Sequence, residues 1–396
     1  MIQAIIVFLN VALKYIMVDT RKEDELLYYA ILAVISILCL TVVFIDFKYS
    51  KLTKLSNMSA LVLPISIIIL VCLCFSQDIN FILPFMLALT FINTDYNKII
   101  KYFFVSSMIC FCVHIFLFII GVLDDPDIMY RTVSDGSVLT RSFLGFEHPN
   151  NAFMFLLPII LCGYYFVQNF IQKLIFVSIS FFISLIIFFK TNSRTGFILI
   201  ILILLISLIN ESWIKRRKIL LFIGRFMFFI MSIISIGISI LCGKEITNKV
   251  NELLSGRPYI WHTYLNDKVR LIPTPGKIGL EESQIVDQFG QSIDNYYIYF
   301  LVRYGIILFI IIGIIYYAFF KNLQKNGQIK LYVITIFYFI YGMVETNTIL
   351  VSINFVLIFI FSIYFNKNYF DKNYSKKTDK NLESAKIEGL KYNKKM

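Results

Sequence analysis

Long apolar stretches alternate with short polar links along almost the whole chain, and the stretches have the length that lipid demands. A helix crosses the hydrocarbon core of a bilayer with about 20 apolar residues, over a working range of about 17–25. Runs of this kind lie near 2–18, 27–46, 59–76, 79–93, 99–123 and 150–169. Others follow near 173–189, 195–210, 222–242, 297–320, 329–345 and 348–366. The pattern predicts an all-α, polytopic integral membrane protein of about 12 transmembrane helices. The runs at 79–93 and 195–210 are the shortest, and losing either would invert everything after it. Residues 243–296 are the longest polar interruption and are expected to form one large extracytoplasmic loop. Residues 1–366 then make a single membrane domain, followed by a basic, disordered cytoplasmic tail at 367–396.

Composition narrows the class. Hydrophobic residues fill 58% of the 396 positions, charged residues 16%, and the mean hydropathy is +0.77. A soluble globular body is excluded at such values. The net charge of +12 brings nucleic acid to mind, but in a membrane protein a basic excess usually marks cytoplasmic anchoring. With the N-terminus inside, Lys48, Lys51, Lys54, Lys98, Lys101, Lys173, Lys215 to Lys218, Lys321, Lys325 and Lys330 all fall in cytoplasmic links. The acidic groups Glu23 to Glu25, Asp124, Asp125, Asp127, Glu281 and Glu282 fall outside. Both termini are therefore expected in the cytoplasm, with the tail against anionic lipid and no nucleic acid as partner. Cys39, Cys72, Cys74, Cys110, Cys112, Cys162 and Cys242 all sit in apolar runs, as small buried hydrophobes do, and not in a disulfide framework. The first apolar run lacks a preceding basic region and a small-residue cleavage site, so it reads as a span and not as a removed leader.

Three polar features on the outer side are candidates for chemistry. Lys190-Thr-Asn-Ser193-Arg194-Thr195-Gly196 puts an arginine at the membrane boundary. It reads either as a snorkelling anchor, with Ser193 or Thr195 as helix cap, or as an anion contact. In Leu254-Ser-Gly-Arg257-Pro258-Tyr-Ile-Trp261, the proline suits a first helical turn. Trp261, Tyr264 and Leu265 would share one face of that helix, expected on the outer leaflet and turned toward acyl chains, with Arg257 at headgroup depth. Asp294-Asn295 precedes the next span. Asp294 is either its N-cap or an acid whose proton affinity is set by burial and a nearby arginine, and both roles can coexist. Arg303, two turns further in, has to reach an anion or the surface.

Metal and nucleotide chemistry find little support in these patterns. Asp125-Pro-Asp127 has the Asp-x-Asp form used with nucleotide sugars, but lies on the outer side. His148 and His262 are too few for a zinc site without Cys, and His114 inside a span reads as packed and neutral. No glycine-rich phosphate loop is present. No metal and no cofactor is expected.

Together these features resemble the bacterial O-antigen polymerase and ligase superfamily, the Wzy-like and WaaL-like polytopic glycosyltransferases of lipid-linked glycans. The likeness covers most of the chain as topology. The ligase branch often carries His, then Asn, Ser or Gln, nine residues and Gly after its loop; here Asp294, Asn295, nine residues and Gly305 match except at the first position. Asp in place of His is more similar to a polymerase. The stretches around Arg194 and Arg257 resemble the family's pyrophosphate-binding arginines, and Gly145-Phe-Glu147-His148-Pro149-Asn150 its His-Pro-Asn element.

The resemblance implies an undecaprenyl-pyrophosphate-linked oligosaccharide as donor, in the bacterial cytoplasmic membrane. Asp294 would be the catalytic base, and Arg194, Arg257, His148, Asn295, Arg303 and Trp261 would bind substrate. Transfer would invert the anomeric centre without metal, building capsule, exopolysaccharide or O-antigen chains. The lipid bilayer, a flippase and a chain-length regulator of the same pathway are the implied partners. A ligase moving finished glycan to lipid or protein and a flippase of the same lipid are the alternatives.

Overall fold

The computed structural model describes residues 2–19, 25–49, 79–125, 129–132, 138–209, 211–241, 257–269, 271 and 293–365. The apolar run at 59–76, Asp127, most of the loop 243–296 and the tail 367–396 lie outside them. Nearly everything described is helical. In chain order the helices are α1 (Ile2–Asp19), α2 (Glu25–Tyr49), α3 (Ile79–Thr90), α4 (Tyr96–Ile119), α5 (Asn151–Phe166), α6 (Phe170–Thr191) and α7 (Arg194–Ser207). They continue as α8 (Glu211–Arg216), α9 (Lys218–Arg225), α10 (Met227–Ile240), α11 (Arg257–Lys268), α12 (Tyr296–Lys325), α13 (Ile329–Gly342) and α14 (Val356–Phe365). A 3-10 turn, Thr346–Ile349, precedes α14. Between α4 and α5 the chain makes an antiparallel hairpin, β1 (Met129–Thr132) with β2 (Val138–Arg141), Met129 opposite Arg141, which the apolar pattern does not announce.

Among the described residues α4, α6 and α12 are long and apolar enough to cross a membrane. The α9–α10 pair makes a fourth if it is one span, bent by 61°. Shorter apolar helical stretches of 10–17 residues lie at Ile2–Tyr15 in α1, Ala30–Ile45 in α2, Asn151–Phe166, Arg194–Ser207 and Ile329–Gly342, so about 12 crossings are not shown. Two stretches differ from the sequence expectation. The run at 222–242 is split at Phe226 into α9 and α10. The run at 348–366 starts as a turn, because Thr348 and Asn354 draw backbone groups into local hydrogen bonds, Thr348 Oγ1 to the Glu345 carbonyl at 3.2 Å and Asn354 Nδ2 to the Thr348 carbonyl at 3.0 Å.

Helix ends are fixed by local chemistry. Asp95 accepts from the Asn97 amide at 2.9 Å to start α4, and Asn169 with Gln172 forms a capping box on α6. Asn192 takes the left-handed conformation, φ 48°, that ends α6. Inside the bundle, α5 is buried from Ala152 to Tyr164 on all sides, as a helix apolar all round requires. It packs on α4, α6, α7 and α13; α12 packs on α9, α10, α11 and α13; and α14 packs on α3. The outer helices expose Ile119, Phe182, Ile186, Phe189 and Ile219, a shell of large side chains suited to lipid and not to water.

One end of the bundle is tied by polar contacts of its own. Lys330 Nζ donates to the Tyr165 carbonyl at 3.0 Å and to that of Val167, and lies 3.5 Å from Glu211. Lys173 Nζ donates to the Ile209 carbonyl at 3.2 Å, and Gln328 Nε2 donates to the Tyr96 hydroxyl at 2.8 Å. The opposite end carries the loop 142–150, the start of α11, residues 293–295 and the strap 343–349.

α12 is interrupted at Gly305, which has φ 79° and ψ 170°. A side chain is rarely tolerated at such angles. Beyond it the Ile307 amide donates to the Leu271 carbonyl at 3.2 Å, a partner outside the helix. We expect Gly305→Ala to destabilise the protein by about 1–3 kcal/mol. Gly237→Ala, where nothing lies within 4 Å of an added Cβ, is expected to stay within about 1 kcal/mol of wild type. Thermal unfolding in detergent measures both; equal effects would rule out a backbone requirement at Gly305.

Candidate functional site

Arg257, the first residue of α11, is the hub of the polar end. Its Nη2 lies 3.3 Å from Asp294 Oδ2, with 14% of the arginine side chain and 32% of the aspartate exposed. Its Nη1 donates to the Val344 carbonyl at 2.9 Å. One planar fork thus joins the start of α11, the residue before the α12 cap, and the strap beyond α13.

Asp294 is not the cap. Asn295 is: its Oδ1 accepts from the Tyr297 and Ile298 amides at 3.0 and 3.1 Å. Its Nδ2 donates to Ser235 Oγ at 3.1 Å and to the Met343 carbonyl at 3.0 Å. Asn295 is fully buried with both ends of its amide engaged, so it acts as a fastener between α10, α12 and α13 and not as a substrate contact. Thr346 Oγ1 donates to the Ile293 carbonyl, closing the seam between 293–295 and 343–346.

That seam brings in Glu345, which sequence reasoning missed. It is 8% exposed. Burial, and then the charge of Asp294, push its carboxyl up to about 7, opposed by Arg257, a hydrogen bond with Asn347, and Lys14. The half-buried Lys14 of α1 lies in electrostatic range of both Glu345 and Glu147. The available signal was a lone acid between two apolar runs, which marks function more often than structure.

His148 is presented by a braced loop. Asp125 accepts from Ser142 Oγ at 2.7 Å and from the Phe143 and Gly145 amides at 3.0 and 3.1 Å. That explains Asp125 without a metal; among the described residues no group of three or more His, Cys, Asp or Glu converges. At the end of β2, Arg141 Nε donates to the Thr191 carbonyl at 2.8 Å, and its Nη2 to Asn150 Oδ1 at 3.2 Å. The Asn150 amide in turn donates to His148 Nδ1 at 3.2 Å. The neutral imidazole then carries its proton on Nε2 and is a hydrogen-bond donor toward a ligand. Burial, then the charges of Arg141 and Arg257, push His148 down to about 4, so it is neutral at pH 7.

The other sequence candidates separate from this cluster. Arg194 is exposed at the start of α7, on the same end as Arg141, and no hydrogen bond or ion pair engages it among the described residues. Ser193 occupies the cap position without a capping bond. Gly196 in the same motif has a packing cause: a Cβ there would stand 2.5 Å from Phe153 Cβ, where α7 meets α5. Arg303 lies half-buried two residues before the break in α12.

The aromatic face of α11 points the other way from expectation. Trp261 and Tyr264 are each 1% exposed, packed with Ile260, Ile293, Ile298 and Val302, and it is Tyr259 that faces outward. An aromatic stripe at helical spacing fits protein or lipid equally well. Here the turn that brings Arg257 to Asp294 sets the stripe against α10 and α12, so Trp261 is core and not a substrate platform.

No family model, no curated protein and no solved structure matches the chain. The site therefore has to be read from its own chemistry. It combines a guanidinium, two carboxylates of unequal burial, a neutral imidazole donor and a lysine, at the end of an apolar bundle.

The electrostatic link between Arg257 and His148 is testable. Burial holds the imidazole down first, Arg141 second and Arg257 least, so Arg257→Ala should raise the His148 midpoint only slightly above about 4 and leave it well below 6.5. Nuclear magnetic resonance of labelled imidazoles, assigned by loss of the signal in His148→Gln, reads the shift. An unchanged midpoint would place Arg257 outside the His148 environment.

Proposed function

We propose that this protein joins polyprenyl-pyrophosphate-linked oligosaccharide repeat units into a capsule, exopolysaccharide or O-antigen chain at the outer face of a bacterial cytoplasmic membrane. On this reading the chain crosses the bilayer about 12 times with both termini inside, and the end bearing Arg257 faces out. The observation that carries it is the convergence of Arg257, Asp294, Glu345 and His148 at one end of an apolar bundle. A pyrophosphate on a lipid tail is an anion that must sit at such a boundary.

The chemistry asks for two things: positive charge where the pyrophosphate departs, and a group to take the acceptor proton. Arg257 meets the first, with Lys14 and Arg194 on the same end, and the neutral His148 adds a donor that an anion does not have to deprotonate. The carboxylates meet the second. Attack at the anomeric carbon opposite the phosphate inverts that centre in one displacement. No covalent enzyme intermediate is needed. A chain-length regulator and a flippase of the same pathway are the partners this reaction calls for.

Purified protein in nanodiscs, given an undecaprenyl-pyrophosphate oligosaccharide, is expected to make a ladder of chain lengths that a chelator does not diminish. Arg257→Ala should stay in the membrane and lose about 100-fold or more in turnover, as removal of one charge-stabilising donor does. Transfer of lipid-linked sugar across vesicles without lengthening would replace this reading with a flippase. Delivery of finished glycan to lipid or protein, without a ladder, would replace it with a ligase.

A further inference from the structure

Asp294 and Glu345 are held side by side by the same seam but in different surroundings. Asn295 Nδ2 on the Met343 carbonyl, Arg257 Nη1 on the Val344 carbonyl and Thr346 Oγ1 on the Ile293 carbonyl align 293–295 with 343–346. Each flanking residue of both acids is thus pinned. Asp294 spends its carboxylate on Arg257 at 3.3 Å and remains one-third exposed. Glu345 is the buried member of the pair. Among the described residues, the charged and titratable groups around it come from several packed elements. They are Asp294 ahead of α12, Arg257 on α11, Lys14 on α1, Tyr341 on α13, and Asn347 on its own strap as a polar neighbour. Two carboxylates sharing one guanidinium in a low dielectric do not both stay ionised without cost, and the proton goes to the acid without the guanidinium contact.

We infer that Glu345 is the group that takes the proton of the acceptor hydroxyl, and that Asp294 serves instead to position Arg257. This rests on the transferase reading above. In the step, the acceptor oxygen bonds to the anomeric carbon of the donor while the bond from that carbon to the pyrophosphate oxygen breaks. The bonding pair leaves on the pyrophosphate beside Arg257. The hydroxyl proton passes to the Glu345 carboxylate, and the neutral acid then returns it to water. A base whose proton affinity lies near the working pH is the efficient one. The raised carboxyl of Glu345 has that property.

The test compares full-length wild type, Glu345→Gln, Glu345→Asp and Asp294→Asn in nanodiscs, for chain lengthening across pH and for binding of undecaprenyl pyrophosphate. Glu345→Gln is expected to lose about 100-fold or more in turnover while binding the lipid as wild type does. Asp294→Asn should bind the lipid less well yet still turn over. Since the charge of Asp294 raises Glu345, its removal should move the acidic limb of the rate profile to lower pH. A Glu345→Gln protein as active as wild type would overturn the inference. So would an Asp294→Asn protein that binds lipid but does not turn over. If Glu345→Gln no longer binds the lipid, Glu345→Asp decides: a displaced acidic limb supports the assignment, and a wild-type limb overturns it. A wild type that makes no chains overturns the transferase reading and this one together, whereas an active wild type with an indifferent Glu345 overturns this one alone.

Discussion

A guanidinium at the edge of an apolar bundle must satisfy donors on several sides at once, because lipid offers it nothing and water reaches only part of it. Arg257 meets that condition with one carboxylate and one main-chain carbonyl from segments far apart in the chain. Much of the polar end follows from this. α11 has to roll until its first residue faces α12, and rolling it buries Trp261 and Tyr264. Residues 293–295 have to lie along the strap after α13, and that alignment seats Glu345 in a dry niche. Removing the cation would leave Lys14 as the charge that still offsets the two acids among the described residues.

The two ends of the bundle handle charge differently. At one, Lys330 and Lys173 are taken up by helix-terminal carbonyls and by Glu211, so that ammonium groups close the end of α5 and the α7–α8 link. Those contacts fasten helices. At the other, Arg257 and Lys14 face two acids, Arg141 is drawn into the loop that carries His148, and Arg194 projects outward. Among the described residues Arg194 is a cation at this end that no hydrogen bond or ion pair takes up.

Much of this was readable from residue order, and the misreadings have physical causes. Apolar run length announced helices suited to lipid, and the structure has α4, α6 and α12 long and apolar enough to cross a membrane. Arg257, Asp294 and His148 stood out as polar groups at helix mouths, and the structure brings them into one electrostatic neighbourhood. Asn295 and Gly305 were legible as a pair but not in their roles, which are a buried cap and a left-handed break. Trp261 was misread because amphipathic spacing does not say which apolar medium a face meets. Glu345 was hidden by the span count, which absorbed it into the end of a run at 329–345, whereas the helix stops at Gly342. The bend at Phe226 comes two residues after Gly224, where an added Cβ would run into the Tyr332 hydroxyl; the glycine is visible in the sequence, but the close contact that requires it is not.

The nine residues between Asn295 and Gly305 form a short rod fixed at its base to α10 and α13 and released at its far end from the rest of α12. Asp294 is therefore set in place through its neighbour Asn295, whose amide ties the base of the rod to Ser235 on α10 and to the end of α13. A change at either of those distant positions would reach the acid as a change in the angle at which it meets Arg257.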